Sequence, residues 1–168
     1  MIRHACAVLG LFVSLGSSAQ SGLTDMSRSP AAVRNAVGLS EVKWTSGFWA
    51  ERMDVCRNVM VPELWATYTS DTICYAFRNF KVAAGLDTGR FRGPSFHDGD
   101  FYKTIEAMSA MYAVTRDPTI DRKLDDAIAV IARSQKPEGY IYTKNIIEQR
   151  KTGKEKMFDD QLSFEAYN

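Results

Sequence analysis

Two runs of apolar residues at helical spacing, separated by a short break, constrain most strongly how this chain can fold. The first run consists of Phe101, Ile105, Met108 and Tyr112, and the second of Ile120, Leu124, Ile128 and Ile131. Spacings of three and four residues place each set on one face of an α-helix. Because the break, Arg116-Asp117-Pro118, is only a few residues long, the two helices must lie antiparallel. The sequence therefore predicts an αα-hairpin.

The neighbouring parts of the chain also favour helices. One stripe of an amphipathic helix is formed by Trp49, Met53, Cys56 and Met60. Pro62 is expected to end that helix and to begin the next one. Turns are predicted at Gly93-Pro94 and Pro137-Glu138-Gly139, and Tyr140-Ile141-Tyr142 is the best candidate for a strand. We therefore expect a mainly α protein built from antiparallel helical hairpins.

The first nineteen residues have the composition of an export signal. Arg3 and His4 precede the apolar run Ala5 to Leu15, and the small residues Gly16-Ser17-Ser18-Ala19 follow it. We predict that residues 1–19 are a cleaved signal peptide and that the protein is exported, either periplasmic or secreted. The apolar run is shorter than the roughly 20 residues that span a bilayer, so no membrane partner is expected. Residues 20–40, rich in Ser, Ala and Arg, are predicted to be a flexible lead-in to a folded part at 41–168.

The charge of the chain is balanced. It contains 21 Lys and Arg residues against 20 Asp and Glu residues. Removal of residues 1–19 would take away one arginine and make the two numbers equal. Such a balance gives no electrostatic basis for binding nucleic acid or an anionic membrane, and a neutral partner fits better.

The segment His97-Asp98-Gly99-Asp100 places a histidine and two carboxylates side by side. One interpretation is capping, because acids near a helix N-terminus accept backbone N–H bonds and are favoured by the helix dipole. The other is contact with a sugar or a metal ion. Adjacent acids in one segment rarely face each other across a bond, so Asp98 and Asp100 are not expected to form a glycosidase acid and base pair.

The cysteines and aromatic residues are expected to serve mainly in the core. Cys56 and Cys74 form no C-x-x-C pair, and neither has a histidine in its own segment. Trp49 and Trp65 fit packing better than sugar stacking. For Tyr140 and Tyr142, which follow a glycine turn, both roles stay open.

Several segments, taken in order, resemble a known family. They are Trp44-x-x-Gly47-Phe48-Trp49, Val61-Pro62, Asn79-Phe80, Gly89-x-Phe91-x-Gly93, Phe96 to Ala107, Gln135-x-x-Glu138-Gly139-Tyr140 and Phe164 to Asn168. Together they resemble the opening of glycoside hydrolase family 127, the β-L-arabinofuranosidase-like family. One departure is Gly99, at a position where the family commonly shows serine.

The resemblance implies an (α/α)6 barrel, a ring of six helical hairpins of which residues 41–168 form the first part. It also implies hydrolysis of terminal arabinofuranose-type sugars with retention, through a cysteine held near zinc, and a plant-type arabinose-containing glycan as the full-length protein's partner. The family's catalytic and zinc-binding residues lie further along its members, so the resemblance assigns no catalytic residue, metal ligand or cofactor to this chain. The substrate-binding candidates are His97, Asp98, Asp100 and Tyr140.

Two alternatives and one structural hypothesis accompany this interpretation. A different helical-toroid enzyme, such as a polysaccharide lyase or an unsaturated-uronide hydrolase, needs basic residues for an acidic sugar, and Arg90 and Arg92 are the loop candidates. A non-catalytic helical binding module is the second alternative. The hypothesis is that the chain is a truncated N-terminal piece, inactive alone, because the first hairpins of a ring would expose a large apolar patch.

Overall fold

A computed structural model describes residues 28–34, 36–157 and 164–168. The predicted signal peptide, 1–19, and residues 20–27 and 35 of the predicted lead-in lie outside the described residues. The chain divides into two compact units, residues 1–38 and 39–168, and the second contains all helices of the described ranges. Among these helices, none combines the length and the apolar character needed to cross a membrane.

Residues 39–168 form a helical assembly. Its elements are a 3₁₀ turn at Leu39–Glu41, α1 at Phe48–Val55, a π-helical turn at Cys56–Met60, α2 at Val61–Thr69, α3 at Ala76–Ala83, α4 at His97–Thr115, α5 at Pro118–Ser134 and α6 at Thr143–Thr152. The described residues contain no strand, so the predicted strand at 140–142 is wrong. Those residues are an extended connection into α6, where the Tyr142 hydroxyl donates to the carbonyl of Ser95 at 3.2 Å and no second strand lies alongside.

Pro62 does not separate two helices as the sequence suggested. The backbone stays helical from α1 through the π turn into α2, and the Val61 N–H donates to the carbonyl of Cys56, five residues earlier. A proline ring inside a regular α-helix collides with the carbonyl four residues before it. The wider π turn gives the ring room, and the helix continues.

The predicted αα-hairpin of α4 and α5 is confirmed. Arg116 ends α4 in a left-handed conformation, with φ of 54°. Asp117 caps α5, since its Oδ1 accepts the Thr119 N–H at 2.7 Å, and Pro118 occupies the first turn, where a missing N–H costs nothing.

The core lies between helices in three clusters of buried side chains. The first cluster joins α3, α4 and α5 and consists of Cys74, Ala76, Phe80, Phe101 and Ala127. The second joins α2, α4 and α5 and consists of Val61, Met108, Met111 and Leu124. The third joins α3 and α6 and consists of Val82, Ala83, Ile146 and Ile147. Trp65 packs against the first two clusters, which confirms its predicted core role.

One side of the α1–α2 helix is not covered by the described residues. We call this surface the α1–α2 apolar face; it consists of Phe48, Trp49, Val55, Val59, Met60 and Leu64, each at least 40% exposed. The predicted stripe is therefore only half right. Met53 and Cys56 pack against the core, whereas Trp49 is 64% exposed and Met60 53%. The prediction that Trp49 packs in the core is wrong, and its ring instead meets that of Phe48 edge to face, with the ring centroids 5.1 Å apart.

Three helices begin at the same end of this unit. The His97 ring, in the first turn of α4, contacts the carbonyl of Cys74 just before α3. Asp98 in the same turn contacts the backbone of Thr143, the first residue of α6. The N-termini of α3, α4 and α6 are therefore neighbours, and the candidate residues lie among them.

Candidate functional site

His97 is fixed against the segment before α3. Its Nδ1 donates to the carbonyl oxygen of Cys74 at 2.8 Å, and the ring meets Phe96 and Tyr68 edge to face. The Cys74 sulfur lies 3.4 Å from the same nitrogen. This contact could not be predicted from the sequence, because His97 and Cys74 lie 23 residues apart. It does not activate the Cys74 thiol as a nucleophile: Nδ1 donates its proton to the carbonyl, Nε2 lies 3.7 Å from the sulfur, and burial raises the pKa of the thiol.

Asp98 is fully buried and holds two helices together. Its Oδ2 accepts the Thr143 N–H at 2.7 Å, and its Oδ1 accepts the Thr143 hydroxyl at 2.8 Å. Burial raises the pKa of Asp98 to about 7, against the lowering effect of these two hydrogen bonds. The carboxyl therefore caps α6 and not the helix that contains it, and the α4 N-cap residue, Phe96, makes no side-chain cap hydrogen bond. Both carboxyl oxygens therefore accept hydrogen bonds from within the described part of the chain.

Asp100 lies at the surface in a small polar cluster. Its Oδ1 accepts from Lys103 Nζ at 3.2 Å and from the Tyr167 hydroxyl at 3.1 Å, while Lys103 also contacts the Tyr167 hydroxyl. Tyr167 packs directly on Gly99, where a β-carbon would lie 2.4 Å from the ring atom Cε1. The absence of a side chain at Gly99 thus admits the tyrosine ring.

Tyr140 belongs to a different group of polar side chains. Its hydroxyl donates to Glu165, and Asn145 Nδ2 lies 3.0 Å from both the Tyr140 hydroxyl and Glu165 Oε1. Burial, followed by the hydrogen bond to Glu165, raises the pKa of Tyr140, so the hydroxyl keeps its proton. Glu165 and Asn145 are both buried. The three side chains form a fixed polar unit.

This unit borders a cavity of about 650 Å³. Its walls are Glu138, Gly139, Tyr140, Ile141, Tyr142, Met157, Glu165, Ala166 and Asn168. Small-molecule sites usually have volumes of about 300–1,000 Å³ and combine apolar walls with a few polar groups. Tyrosine faces suit the C–H surfaces of a sugar, and carboxylate and amide groups suit its hydroxyls. The cavity can therefore hold a neutral, hydroxyl-bearing ligand.

Asn168 connects the cavity with the first turn of α4. Its Oδ1 accepts the Gly99 N–H at 2.7 Å, and its Nδ2 donates to the Ser95 carbonyl at 2.7 Å. The four candidates predicted from the sequence are thus close in space but have different settings. His97 and Asp100 flank this connection, Asp98 is sealed beneath it, and Tyr140 lines the cavity.

Sequence reasoning missed Glu165, Asn145 and Asn168 as site residues. Nothing in their local pattern marks them, because each acts through a partner at least 20 residues away. The only signal available was that Gly139-Tyr140 and Phe164 to Asn168 both belong to the segments resembling the family. Two distant segments of one family pattern that meet in space make a reasonable site hypothesis.

The described residues do not provide a zinc site. No three side chains of His, Cys, Asp or Glu within ranges 28–34, 36–157 and 164–168 are grouped so that they could hold a metal ion. Cys56 and Cys74 are both free thiols. The zinc that the resemblance implies for a full-length relative therefore has no ligand set among these residues, and we assign none of them to it.

Comparison with known proteins gives a match to a family and to a curated relative. Residues 41–168 match the family model described as the β-L-arabinofuranosidase, GH127 catalytic domain. The non-reducing end β-L-arabinofuranosidase of Bifidobacterium longum subsp. longum is 30% identical over 115 residues, which cover 59% of this chain and 18% of that protein.

Two solved structures share the fold. A GH127 β-L-arabinofuranosidase from Geobacillus stearothermophilus T6 superposes with a TM-score of 0.67 at 30% identity, covering 75% of this chain and 20% of that one. A second GH127 β-arabinofuranosidase superposes with a TM-score of 0.62 at 29% identity, covering 77% and 21%. This chain spans about a fifth of the length of the relatives it matches. Its antiparallel hairpins form the first part of an (α/α)6 barrel, and the chain belongs to glycoside hydrolase family 127.

Proposed function

We propose that this chain is the N-terminal part of the catalytic domain of an exported glycoside hydrolase that removes terminal arabinofuranose-type sugars from plant-type glycans. The observation that carries the proposal is the match to the family's catalytic domain across residues 41–168, which include every wall of the candidate cavity. The composition of residues 1–19 supports export.

In this proposal the chain contributes sugar binding and not bond cleavage. Tyr140, with Glu165 and Asn168, presents aromatic and polar groups to the cavity, and His97 and Asp100 extend the polar surface beyond it. Asp98 positions the connection into α6 and does not touch the sugar. No nucleophile or general acid is assigned here, because burial raises the pKa of the Cys74 thiol and Cys56 packs against the core.

Hydrolysis assays test the substrate class. The gene product that carries this sequence should release the aglycone from an aryl β-L-arabinofuranoside and leave an unsaturated uronide intact. Turnover of the uronide alone would replace the proposal by the uronide-hydrolase alternative.

Binding by the chain alone tests its role. Under the proposal, residues 20–168 give neither turnover nor tight binding of arabinose-containing oligosaccharides, because the cavity that they form is only one part of the full-length protein's binding site. Isothermal titration calorimetry measures this directly. Micromolar binding without turnover by any form of the protein would favour the non-catalytic binding module instead.

A further inference from the structure

A second, smaller pocket beside α3 is lined by three arginines. It has a volume of about 180 Å³ and is bounded by Tyr75, Arg78, Asn79, Gly89, Arg90 and Arg92. None of these residues lines the larger cavity described above. We call it the arginine pocket. It is the place where basic side chains from α3 and from the following connection converge.

The positive charge of this pocket is only partly compensated. Arg78 Nε donates to Asp87 Oδ2 at 3.0 Å. Across the described part of the chain, no carboxylate forms an ion pair with Arg90 or Arg92. Two guanidinium groups therefore remain for an external anion. Guanidinium is planar and offers parallel N–H donors, so it matches a carboxylate well.

The backbone around the pocket is held in place. Asn79 is buried, with an exposure of 1%, and its side-chain amide forms two hydrogen bonds with the backbone of Arg92, which we call the Asn79 clamp. The Arg92 N–H donates to Asn79 Oδ1 at 3.1 Å, and Asn79 Nδ2 donates to the Arg92 carbonyl at 2.8 Å. Tyr75 has a φ of 60°, in the left-handed region, and its ring lies beneath the Arg92 guanidinium at 5.3 Å. The base of the Arg92 side chain is thus fixed before any ligand arrives.

Size and charge together indicate the ligand. The volume is below the range of about 300–1,000 Å³ usual for whole small molecules, so the pocket suits a charged substituent. We propose that the arginine pocket binds the carboxylate of a uronic acid residue within the glycan. This inference rests on the proposed function only in taking a carbohydrate as the ligand. The uronic acid is held and not cleaved.

Titration of the full chain with D-galacturonate, followed by NMR, tests the proposal. D-galactose is the matched neutral sugar, and sodium sulfate is the matched non-sugar anion. We expect shifts at pocket residues with galacturonate, weakening with added salt, and none with galactose. Arg90→Gln and Arg92→Gln should each raise the Kd for galacturonate about tenfold, the loss expected for one charge-assisted hydrogen bond. Arg122→Gln, on the exposed side of α5, is the control and should leave the Kd unchanged.

Three results would overturn the inference: equal responses to galacturonate and galactose, unchanged affinity in both pocket variants, or sulfate binding as tight as galacturonate binding. Circular dichroism of each variant establishes that it is folded. The neutral arabinofuranoside assay contains no carboxylate, so its result is independent. Turnover there with no galacturonate binding would remove this inference and leave the proposed function standing.

Discussion

At the residue scale, the buried carboxyl of Asp98 couples the stability of the fold to pH. Its pKa is about 7 in the folded chain, against an ordinary value of 3.8. The folded state therefore binds a proton more tightly than the unfolded state between these values. The contribution of protonated Asp98 to the free energy of unfolding is fully present below the pKa of the unfolded state. It is lost as pH rises through the pKa of the folded state.

Asp98→Asn should remove this pH dependence. Asparagine keeps the shape, since its oxygen accepts the Thr143 N–H and its amide donates to the Thr143 hydroxyl oxygen. Between about pH 4 and about pH 7 the wild type should lose up to about 4 kcal/mol of unfolding free energy relative to the variant. Urea unfolding at several pH values measures the difference. Asp126→Asn, on the exposed side of α5, is the control, and an equal slope in wild type and Asp98→Asn contradicts the prediction.

The contact between Gly99 and Tyr167 predicts a change of sign in a double-mutant cycle. In the wild-type background, Gly99→Ala pushes a methyl group into the Tyr167 ring and should cost about 1–3 kcal/mol. In a Tyr167→Ala background the space is open, and Gly99→Ala should stabilise α4 by about 0.5–1 kcal/mol through its higher helix propensity. Thermal unfolding of the four proteins gives the cycle. A destabilising effect of equal size in both backgrounds is the result that excludes a clash.

Much of the site could not be predicted from local sequence patterns around single residues. Within the tetrad at 97–100, Asp100 contacts Lys103 three residues away, whereas His97 and Asp98 contact residues 23 and 45 positions away. Local patterns report helix starts and apolar stripes. They carry no information on which helix start a buried carboxyl caps, so the contact of Asp98 with the start of α6 could not be predicted from them.

At the scale of the element, predictability followed the number of local signals. The α4–α5 hairpin had two apolar stripes and the short break Arg116-Asp117-Pro118 between them, and these signals agree. The 140–142 segment had only three successive residues of high β-propensity, which indicate a strand only where a partner strand exists. The π turn before Pro62 had no signal of its own, because i→i+5 bonding arises from relief of the proline clash.

The Asn79 clamp predicts local opening of the connection between α3 and α4. Asn79→Ala removes two hydrogen bonds made by a buried side chain and should cost about 1–3 kcal/mol. Hydrogen exchange at the Arg92 amide should accelerate strongly, while amides in the middle of α5 change only with global stability. Unchanged protection of the Arg92 amide would show that the clamp does not hold this segment.

At the scale of the whole molecule, the α1–α2 apolar face is the feature that the described residues leave uncovered. Phe48 is 60% exposed and Val59 54%, on the same helix as Trp49. Large contiguous apolar patches are rare on monomeric proteins and usually mark an interface. In an (α/α)6 barrel each hairpin packs between neighbours, so this face fits the surface that meets the rest of the ring.

The exposed face predicts self-association of the chain when it is prepared alone. Sedimentation velocity should show concentration-dependent association at micromolar protein. Val59→Lys with Met60→Lys should reduce that association without loss of helical circular dichroism, because neither residue is buried. Lysine at Ala107 and Ala129, two exposed neutral positions on α4 and α5, adds the same charge and is the control. A wild-type chain that stays monomeric at all concentrations contradicts the prediction.

The family was recognisable from the sequence because its signature is distributed over the same 128 residues that the family model matches, 41–168. The core followed from periodicity for Phe101, Met108 and Leu124. Trp49 did not follow, since periodicity identifies an apolar face but not whether its partner lies within the same stretch of chain.

The π turn at Cys56–Met60 restricts how this segment can be recombined with others. A regular α-helix advances about 100° per residue, so one residue more or less rotates everything beyond it by that angle. The wider π turn accommodates one residue more than a regular α-helical turn does. That extra residue sets the rotation of the helix beyond it, so that Trp65 points at the core while Phe48 points away. A chimaera spliced across this helix by length alone would shift that phase, exchanging a core contact for a solvent-facing one.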